Sequence, residues 1–550
     1  MKFFDRNTWF WFLLGGLLFF PFIGEVHLFD WDEINFAELA REMLVTGDYL
    51  QMQINYETFT EKPPLFFWLQ AISMQLFGVN EFAARFPNAL LGFFVMPFLY
   101  IAGKFLYDRK FGFLWTLSWF GSILPFLYFK SGIIDPVFNF FIFNGLFFLI
   151  QYMWRKKGNR DLYFSKKAGI YLLIAGVSVG FGILSKGPVA YLIVGLCLFV
   201  YWIIERFRFF ISPMAFLKFT LAALAITFIW LGVDMAFNGP DFLIEFTIRQ
   251  WELLTTGDAG HSGFLGYHFV VLLFGCFPAS IFAIRGMGKF ANSSPHIADF
   301  QRWMIILLWV ILILFSLVGT KIIHYSSMAY YPISFLSALT LRNLIEGKLQ
   351  YRKWISILIG FIGLVIMVVS FALPWIGLHL KDFLFLFEKD PFALANMSAE
   401  INWSYLDFIP SLIALLVLIG FFISLARNKY SAFKILFFGN IIWIFSALIF
   451  FIAKVEGISQ RASVEFFESM EGKNVYVTSY DYKSYVPWFY SKIEEHQNEN
   501  AKNQDWLLYG ETDKSVLISC KINSKDKFEK DITDAKFLYE KNGFYFYQRR

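Results

Sequence analysis

Residues 7–24 have the sequence NTWFWFLLGGLLFFPFIG, an uncharged run nearly long enough to cross the hydrocarbon core of a bilayer. Similar apolar runs recur along the 550-residue chain, which is 57% hydrophobic, 21% aromatic and only 17% charged, with a mean hydropathy of +0.53. Ordinary soluble domains carry about 25% charged residues. The sequence therefore predicts a polytopic α-helical membrane protein. No small-residue cleavage site follows the first run, so we expect an uncleaved span rather than a signal peptide.

The apolar runs predict about thirteen spans, an odd number that places the two termini on opposite sides of the membrane. Lys and Arg concentrate in alternate loops, among them KFLYDRK (104–110), RKKGNRDLYFSKK (155–167) and RNKYSAFK (427–434). Such loops face the cytoplasm in most membrane proteins. We therefore expect a multi-pass protein of the inner (plasma) membrane, with a cytoplasmic N-terminus and a periplasmic or otherwise extracytoplasmic C-terminus.

The chain divides into two predicted domains, a transmembrane domain over residues 1–453 and a soluble domain over 454–550. In the second, NVYVTS, SVLISC and the pair AKFLYE and GFYFYQRR alternate like strands, which predicts a small α/β domain. The first extracytoplasmic loop, residues 25–83, contains two predicted interfacial helices. These are INFAELAREMLVTG, which ends at Gly47, and PLFFWLQAISMQLFG, which ends at Gly78.

Polar side chains gather at the outer ends of the predicted spans. Taken singly, each has an ordinary structural explanation: helix capping by carboxylates, a proline-assisted helix start, or lysines that snorkel to the headgroups. Their sorting to one side has no such explanation, and ionisable groups near membrane depth are functional candidates. The group comprises Asp32, Glu33, Glu61, Lys62, Asp135, Lys186, Arg249, His261, His268, Lys321 and His324.

The mixture of charges in this group indicates the kind of ligand. Lysine and arginine pair with phosphate oxygens through charge-assisted hydrogen bonds. Carboxylates accept hydrogen bonds from sugar hydroxyls, stabilise positive charge at an anomeric carbon, or act as bases. A lipid-linked phosphosugar at the membrane surface presents both needs, and we expect a ligand of that class.

Several stretches also resemble a known family. DEINFAELAREMLVTGDYL (32–50), EKPPLFFWL (61–69) and FGVNEFAARFPNAL (77–90) are similar to the first extracytoplasmic loop of the 4-amino-4-deoxy-L-arabinose transferase family. LSKGPVA (184–190), GHSGFLGYHFVVLLFGCFPAS (260–280) and KIIHYSSMAYYP (321–332) resemble later family stretches. That family belongs to the protein mannosyltransferase clan of GT-C glycosyltransferases, and the resemblance extends over roughly residues 1–345.

The resemblance implies a GT-C fold and a glycosyltransferase activity. The enzyme would transfer a sugar from a polyprenyl (undecaprenyl) phosphate donor to an acceptor outside the membrane. The acceptor could be lipid A, another glycolipid, a polysaccharide or a protein, and membrane lipid is a further expected partner, whereas nucleic acid is not. Neither the sugar nor the acceptor follows from the sequence.

The resemblance also implies roles for individual residues. Asp32 is the expected catalytic or sugar-orienting carboxylate, with Asp135 as the second acid and Glu33 beside them. The remaining roles are a donor-phosphate site of Lys62, Arg249, Lys321 and Tyr325, a divalent metal site (zinc, magnesium or manganese) of Glu61 and His261, and further cavity residues Lys186, His268 and His324.

Three other functions compete with this interpretation. A transporter or flippase of lipid-linked saccharides would need polar sites near the bilayer midplane and often inverted repeats, but the charged residues lie at the outer face. A non-catalytic assembly factor would leave the polar group unexplained. A ligase or polymerase of lipid-linked glycans lacks support from the first-loop motif.

Overall fold

The structure is a computed structural model that describes residues 4–157, 167–255, 263–290 and 294–550. It confirms a helical membrane protein with a small C-terminal sheet domain. The α-helices that precede the C-terminal domain are α1 Arg6–Phe19, α2 Asp32–Thr46, α3 Leu65–Phe77, α4 Glu81–Leu106, α5 Arg109–Phe120, α6 Ile123–Tyr128, α7 Asp135–Lys156, α8 Ala168–Lys186, α9 Val189–Ile204, α10 Pro213–Asn238, α11 Asp241–Thr255, α12 Tyr267–Gly275, α13 Ala279–Gly286, α14 Pro295–Leu317, α15 Tyr330–Ile345, α16 Lys353–Leu378, α17 Leu380–Phe383, α18 Pro391–Asn396, α19 Ile409–Arg427, α20 Lys429–Ala447 and α21 Ala453–Ser459.

Within the described ranges, eight helices are long and apolar enough to cross a membrane: α4, α7, α8, α10, α14, α16, α19 with the 3-10 turn before it, and α20 with its continuation through α21. A ninth crossing arises if α12 and α13, which meet at an angle of 115°, form one broken span. Other predicted spans are shorter helices, such as α1 with 14 residues and α9 with 16. The count of thirteen therefore stays a prediction.

The helices differ in how much of their surface other helices cover. The apolar segment of α7 is 83% buried, whereas those of α10 and α19 are each only 22% buried. The large uncovered side chains on these two helices are Leu, Ile, Phe, Val and Met, which suit contact with lipid tails rather than water. α7 is therefore the centre of the bundle, and α10 and α19 belong to its lipid-facing rim.

The long loop between α1 and α4 ends its two helices at the predicted glycines. α2 ends at Gly47 with φ +74°, and α3 ends at Gly78 with φ +82°, backbone conformations that favour glycine. Between the helices lies a short antiparallel hairpin of β1 (Gln53–Ile54) and β2 (Glu57–Thr58). Every residue of α2 from Glu33 to Met43 is buried, because α3 covers one side of it and the C-terminal domain another.

The C-terminal domain contains the four predicted strands, β3 (Tyr476–Tyr480), β4 (Val516–Lys521), β5 (Lys536–Lys541) and β6 (Phe544–Arg549). They form one sheet in the order β3-β4-β6-β5, in which β3 and β4 are parallel and the other pairs antiparallel. Asn542 and Gly543 both have positive φ and make the predicted tight turn. The helices of this domain are α22 Arg461–Glu468, α23 Val486–Ser491, α24 Gln504–Tyr509 and α25 Lys525–Asp531.

The two faces of this sheet contact different parts of the molecule. Side chains such as Val477, Leu517 and Phe546 share one apolar cluster with residues of α2 and α3. Their neighbours along the strands, such as Val516 and Tyr547, form a separate cluster with α24 and α25. Since side chains alternate along a strand, this division follows from the period of two. The domain is thereby attached to the first loop through a shared core.

Candidate active site

Asp135 and Lys186 form the buried base of the candidate site. Asp135 is the first residue of α7 and Lys186 the last of α8, two helices that pack closely side by side. The ammonium nitrogen of Lys186 lies 2.7 Å from Oδ1 of Asp135, whose side chain is 3% exposed. In the part of the chain that the structure describes, Oδ2 of Asp135 has no hydrogen-bond partner. The pair therefore has one carboxylate oxygen left for another donor.

His324 lies between the two predicted acids. It belongs to a 3-10 helix, Ile323–Ala329, that follows α14. Its Nε2 is 3.5 Å from Oδ2 of Asp32 and 4.0 Å from Oδ2 of Asp135. The Asp32 side chain is 40% exposed, far more than that of Asp135. Asp32 is thus the acid that a ligand can reach, whereas Asp135 is the buried acid of the site.

A second part of the site consists of basic residues around Glu61. The guanidinium of Arg249 approaches Glu61 Oε1 to 3.2 Å, and the ammonium of Lys62 approaches Oε2 to 3.9 Å. Burial, together with the positive charges of Lys186 and Arg249, lowers the pKa of Lys62, and the charges of Glu61 and Asp32 oppose this effect. Three cations therefore converge near Glu61 and Asp32, which is the electrostatic setting expected for a phosphate.

Tyr325 joins these two parts. The ammonium of Lys186 lies 5.3 Å from the centre of the Tyr325 ring, and the Tyr325 ring in turn contacts that of His324. A cation over an aromatic face is held in place by the ring quadrupole. The structure therefore brings together Asp32, Glu61, Lys62, Asp135, Lys186, Arg249, His324 and Tyr325.

Lys321 and His268 lie in a neighbouring group. The Lys321 ammonium donates hydrogen bonds to the carbonyl oxygens of Phe315 and Ser316, at 3.1 and 2.7 Å, and to that of Val318. These carbonyls belong to the end of α14, where backbone acceptors have no partner within the helix. His268 is buried beside the Phe315 ring. Lys321 therefore caps a helix in this structure, a local role that competes with the predicted phosphate contact.

The Glu33 carboxylate accepts hydrogen bonds on both of its oxygens. Its carboxylate accepts hydrogen bonds from Arg85 at 3.1 and 2.8 Å, from the backbone N–H of Phe29 at 3.0 Å and from that of Gly132 at 2.5 Å. Burial would raise the pKa of Glu33, but Arg85 and the two N–H groups lower it below the usual value. This geometry suits a structural carboxylate, and a catalytic role for Glu33 has no contact in support.

The predicted metal pair, Glu61 and His261, has poor support. His261 lies outside the described residues, and both oxygens of Glu61 face cations, Arg249 on one side and Lys62 on the other. A carboxylate neutralised in this way does not fit the role of a metal ligand, because the cations would repel the ion. No step of the chemistry is therefore assigned to a metal at Glu61.

A different set of side chains has the spacing of metal ligands. Ligand atoms of His27, Glu81 and Glu468 all lie within 4.8 Å of one another. The other ring nitrogen of His27 is 2.8 Å from the buried carboxylate of Glu456. Burial lowers the pKa of His27, but Glu456 and Glu468 raise it further, so that the net shift is upward. The sequence did not predict this cluster because His27, Glu81 and Glu468 come from three widely separated parts of the chain.

Comparison with known proteins agrees with the fold. A family profile described as dolichyl-phosphate-mannose-protein mannosyltransferase matches residues 61–231. The crystal structure of ArnT from Cupriavidus metallidurans bound to undecaprenyl phosphate superposes with a TM-score of 0.72 at 16% identity, over 99% of this chain and 98% of that one. Its apo form gives a TM-score of 0.73. The chain therefore has the fold of these ArnT structures.

Two relatives of this chain carry the same name. Undecaprenyl phosphate-alpha-4-amino-4-deoxy-L-arabinose arabinosyl transferase from Photorhabdus laumondii is 25% identical over 359 residues, which are 63% of this chain and 62% of the relative. The protein of the same name from Aeromonas hydrophila is 27% identical over 390 residues, or 69% of this chain and 67% of the relative. The matches thus span about two thirds of each relative's length.

Proposed function

We propose that the protein is an integral-membrane glycosyltransferase that moves a sugar from a polyprenyl phosphate donor to an acceptor on the outer side of the inner membrane. The observation that carries this proposal is the juxtaposition of an accessible acid, Asp32, with the two cations Lys62 and Arg249. The names of the relatives make undecaprenyl phosphate-linked 4-amino-4-deoxy-L-arabinose the first donor to test.

In the proposed reaction, an acceptor oxygen attacks the anomeric carbon of the donor sugar. The bond between that carbon and the phosphate oxygen breaks, and the electron pair leaves with the polyprenyl phosphate. Lys62 and Arg249 lie where they would stabilise the departing phosphate, since fixed cations in a site of low dielectric act without reorganisation. Glu61 holds both cations in place before the donor binds.

The fate of the acceptor proton depends on the acceptor. An attacking hydroxyl would lose its proton to Asp32, the exposed acid of the site. An ionised phosphate acceptor would need no base, and Asp32 would then only orient the sugar. Lys186 neutralises Asp135 and thereby prevents two adjacent carboxylates from repelling each other.

The direct test is transfer of a radiolabelled sugar from polyprenyl phosphate donors to membrane acceptors by the purified protein. We expect Lys62→Ala to lower the rate by about 10²- to 10³-fold, as the loss of one electrostatic stabiliser does elsewhere. Asp32→Asn should lower it by about 10²- to 10⁴-fold if the acceptor is a hydroxyl. Lys381→Ala and Asp382→Asn, at exposed positions of α17, are matched controls.

Further measurements separate the possible outcomes. Donor binding that depends on Lys62 without turnover would mean that the acceptor is missing from the assay. No donor binding at all would contradict the proposal and favour transport or assembly instead. A metal chelator tests the predicted metal dependence in the same assay, and protease access to the C-terminal domain in sealed spheroplasts tests its proposed outward orientation.

A further inference from the structure

A cleft of about 660 Å³ lies between the β1–β2 hairpin of the first loop and the C-terminal domain. Its walls include Thr58 and Phe59 on the loop side and Tyr482, Lys483 and Trp488 on the domain side. We infer that this cleft binds the saccharide headgroup of the acceptor. The inference rests on the proposed glycosyltransferase function, to which it adds the place and the chemical class of the second substrate.

The cleft is continuous with the candidate active site. Glu61 lines the cleft and at the same time pairs with Arg249 and Lys62. Tyr485 also lines it and lies close enough to Glu61 and Asp32 to interact with their charges. Burial first, and then these carboxylates, raise the pKa of Tyr485, so its hydroxyl stays protonated and can donate a hydrogen bond. A ligand in the cleft would therefore reach the reacting groups directly.

The lining has the composition that sugars require. Aromatic faces of Phe59, Tyr482 and Trp488 can stack on the apolar faces of sugar rings, while hydroxyl and amide groups satisfy the sugar hydroxyls. The charged groups of the lining are of both signs, with the carboxylates of Glu57, Glu61 and Asp481 and the ammonium groups of Lys483 and Lys502. Because charged and hydroxyl side chains share the lining with the aromatic ones, the cleft suits a sugar better than the lipid part of the donor.

Some of the polar groups are available to a ligand. Within the described ranges, the indole N–H of Trp488 and the hydroxyl of Thr58 make no hydrogen bond to another protein group, and the Lys483 ammonium contacts only the rings of Trp31 and Tyr485. Lys502, by contrast, is used in the wall, where it donates to the carbonyl of Tyr56 at 3.0 Å. Trp488 and Lys483 are therefore the residues that a headgroup would contact.

The cleft is also preformed. The carboxylate of Glu42, on α2, accepts hydrogen bonds from the backbone N–H groups of Asn55 and Tyr56 at 2.6 and 2.9 Å, which fixes the hairpin turn. The hydroxyl of Tyr56 donates to the carbonyl of Ile493 at 2.7 Å and joins the hairpin to the C-terminal domain. A rigid cleft costs little ordering entropy when it binds a ligand.

Steady-state kinetics of the full-length enzyme test the inference, with lipid A in mixed micelles as the acceptor probe. Trp488→Ala and Lys483→Ala should each raise the acceptor KM by about 10-fold, the effect of losing roughly 1.4 kcal/mol of binding, and leave the donor KM unchanged. Trp488→Phe keeps an aromatic face and should recover part of the loss. Tyr509→Ala and Lys473→Ala, both exposed outside the cleft, should behave as wild type.

A binding experiment separates this inference from the proposed function. The probe is the soluble glucosamine disaccharide 1,4′-bisphosphate, titrated by calorimetry into wild type and the cleft variants. Binding that weakens in Trp488→Ala and Lys483→Ala, in a protein without transferase activity, would support the cleft and refute the function. Transfer by wild type with unchanged acceptor KM in both variants would refute the cleft and leave the function standing.

Discussion

Replacing Arg85 by methionine should lower the free energy of unfolding more than a comparable substitution at the surface does. The substitution removes the partner of the buried Glu33 carboxylate and the donor to three backbone carbonyls, those of Ile23, Val26 and His27. Breaking a buried ion pair in this way costs about 3–5 kcal/mol, because the remaining charge stays without compensation. Two backbone N–H groups still bond to Glu33, which places the expected loss near the lower end, about 3 kcal/mol.

The assay is unfolding of the purified protein in mixed micelles titrated with SDS. Arg302→Met is the matched control, because Arg302 forms a similar pair with Glu205 at 2.6 Å but is 45% exposed. The control should lose only about 0–1 kcal/mol. The double variant Arg85→Met with Glu33→Gln should recover part of the stability, since no buried charge then lacks a partner. If Arg85→Met stays within about 1 kcal/mol of wild type, the reasoning about this pair is refuted.

The activity of Glu33→Gln addresses the predicted catalytic role of this residue. A structural carboxylate predicts that specific activity per folded molecule falls by no more than a few-fold, together with a lower unfolding midpoint. A general acid or base predicts a loss of about 10²- to 10⁴-fold at unchanged stability. The two results differ enough to decide between a structural and a catalytic Glu33.

Three further predictions use other parts of the molecule. Lys186→Met leaves Asp135 buried without its cation, so we expect a lower melting temperature and loss of sugar transfer. Adding Asp135→Asn should restore the melting temperature but not the activity. Recovery of both would contradict the proposed site. His27 has a raised pKa, so its stabilising contribution is complete below about pH 6.5 and disappears as the pH rises through the raised value. The melting temperature between pH 5.5 and 8.5 should therefore depend less on pH in His27→Gln than in wild type. Identical slopes of melting temperature against pH would exclude this role. Gly112→Ala would place Cβ only 2.3 Å from the carbonyl oxygen of Tyr100, so it should push α4 and α5 apart and lower the melting temperature strongly. Gly195→Ala, where the new Cβ would meet no other atom, should raise the melting temperature slightly. Equal melting temperatures of the two variants would show that the contact between α4 and α5 is not tight.

The sequence predicted those residues of the candidate site that lie at the adjacent ends of neighbouring helices. Asp135 and Lys186 terminate two antiparallel neighbours, so an ion pair between them is compatible with span order alone. The hydrophobic period also predicted the strands of the C-terminal domain, since alternation is a local property.

Contacts between distant parts of the chain were beyond such reasoning. The partner of Glu33 lies 52 positions away, and nothing in the local pattern around Asp32 and Glu33 distinguishes the exposed acid from the buried one. Lys321 was predicted at the phosphate because its charge is visible in the sequence, whereas the carbonyls that it caps are a property of the folded helix end. The cleft was missed because its two walls come from opposite ends of the chain.

The cover that the C-terminal domain provides for α2 has a consequence for the biosynthesis of the protein. α2 begins at Asp32, but α23 and the sheet that shield it lie in residues 476–549 and are made long after it. A nascent chain can insert its helices in order, yet the helix that carries Asp32 acquires its full surroundings only after the strands of the C-terminal sheet have been made and have folded. The surroundings of the proposed catalytic acid are therefore completed late, and a chain without the C-terminal domain would leave this part of the candidate site uncovered.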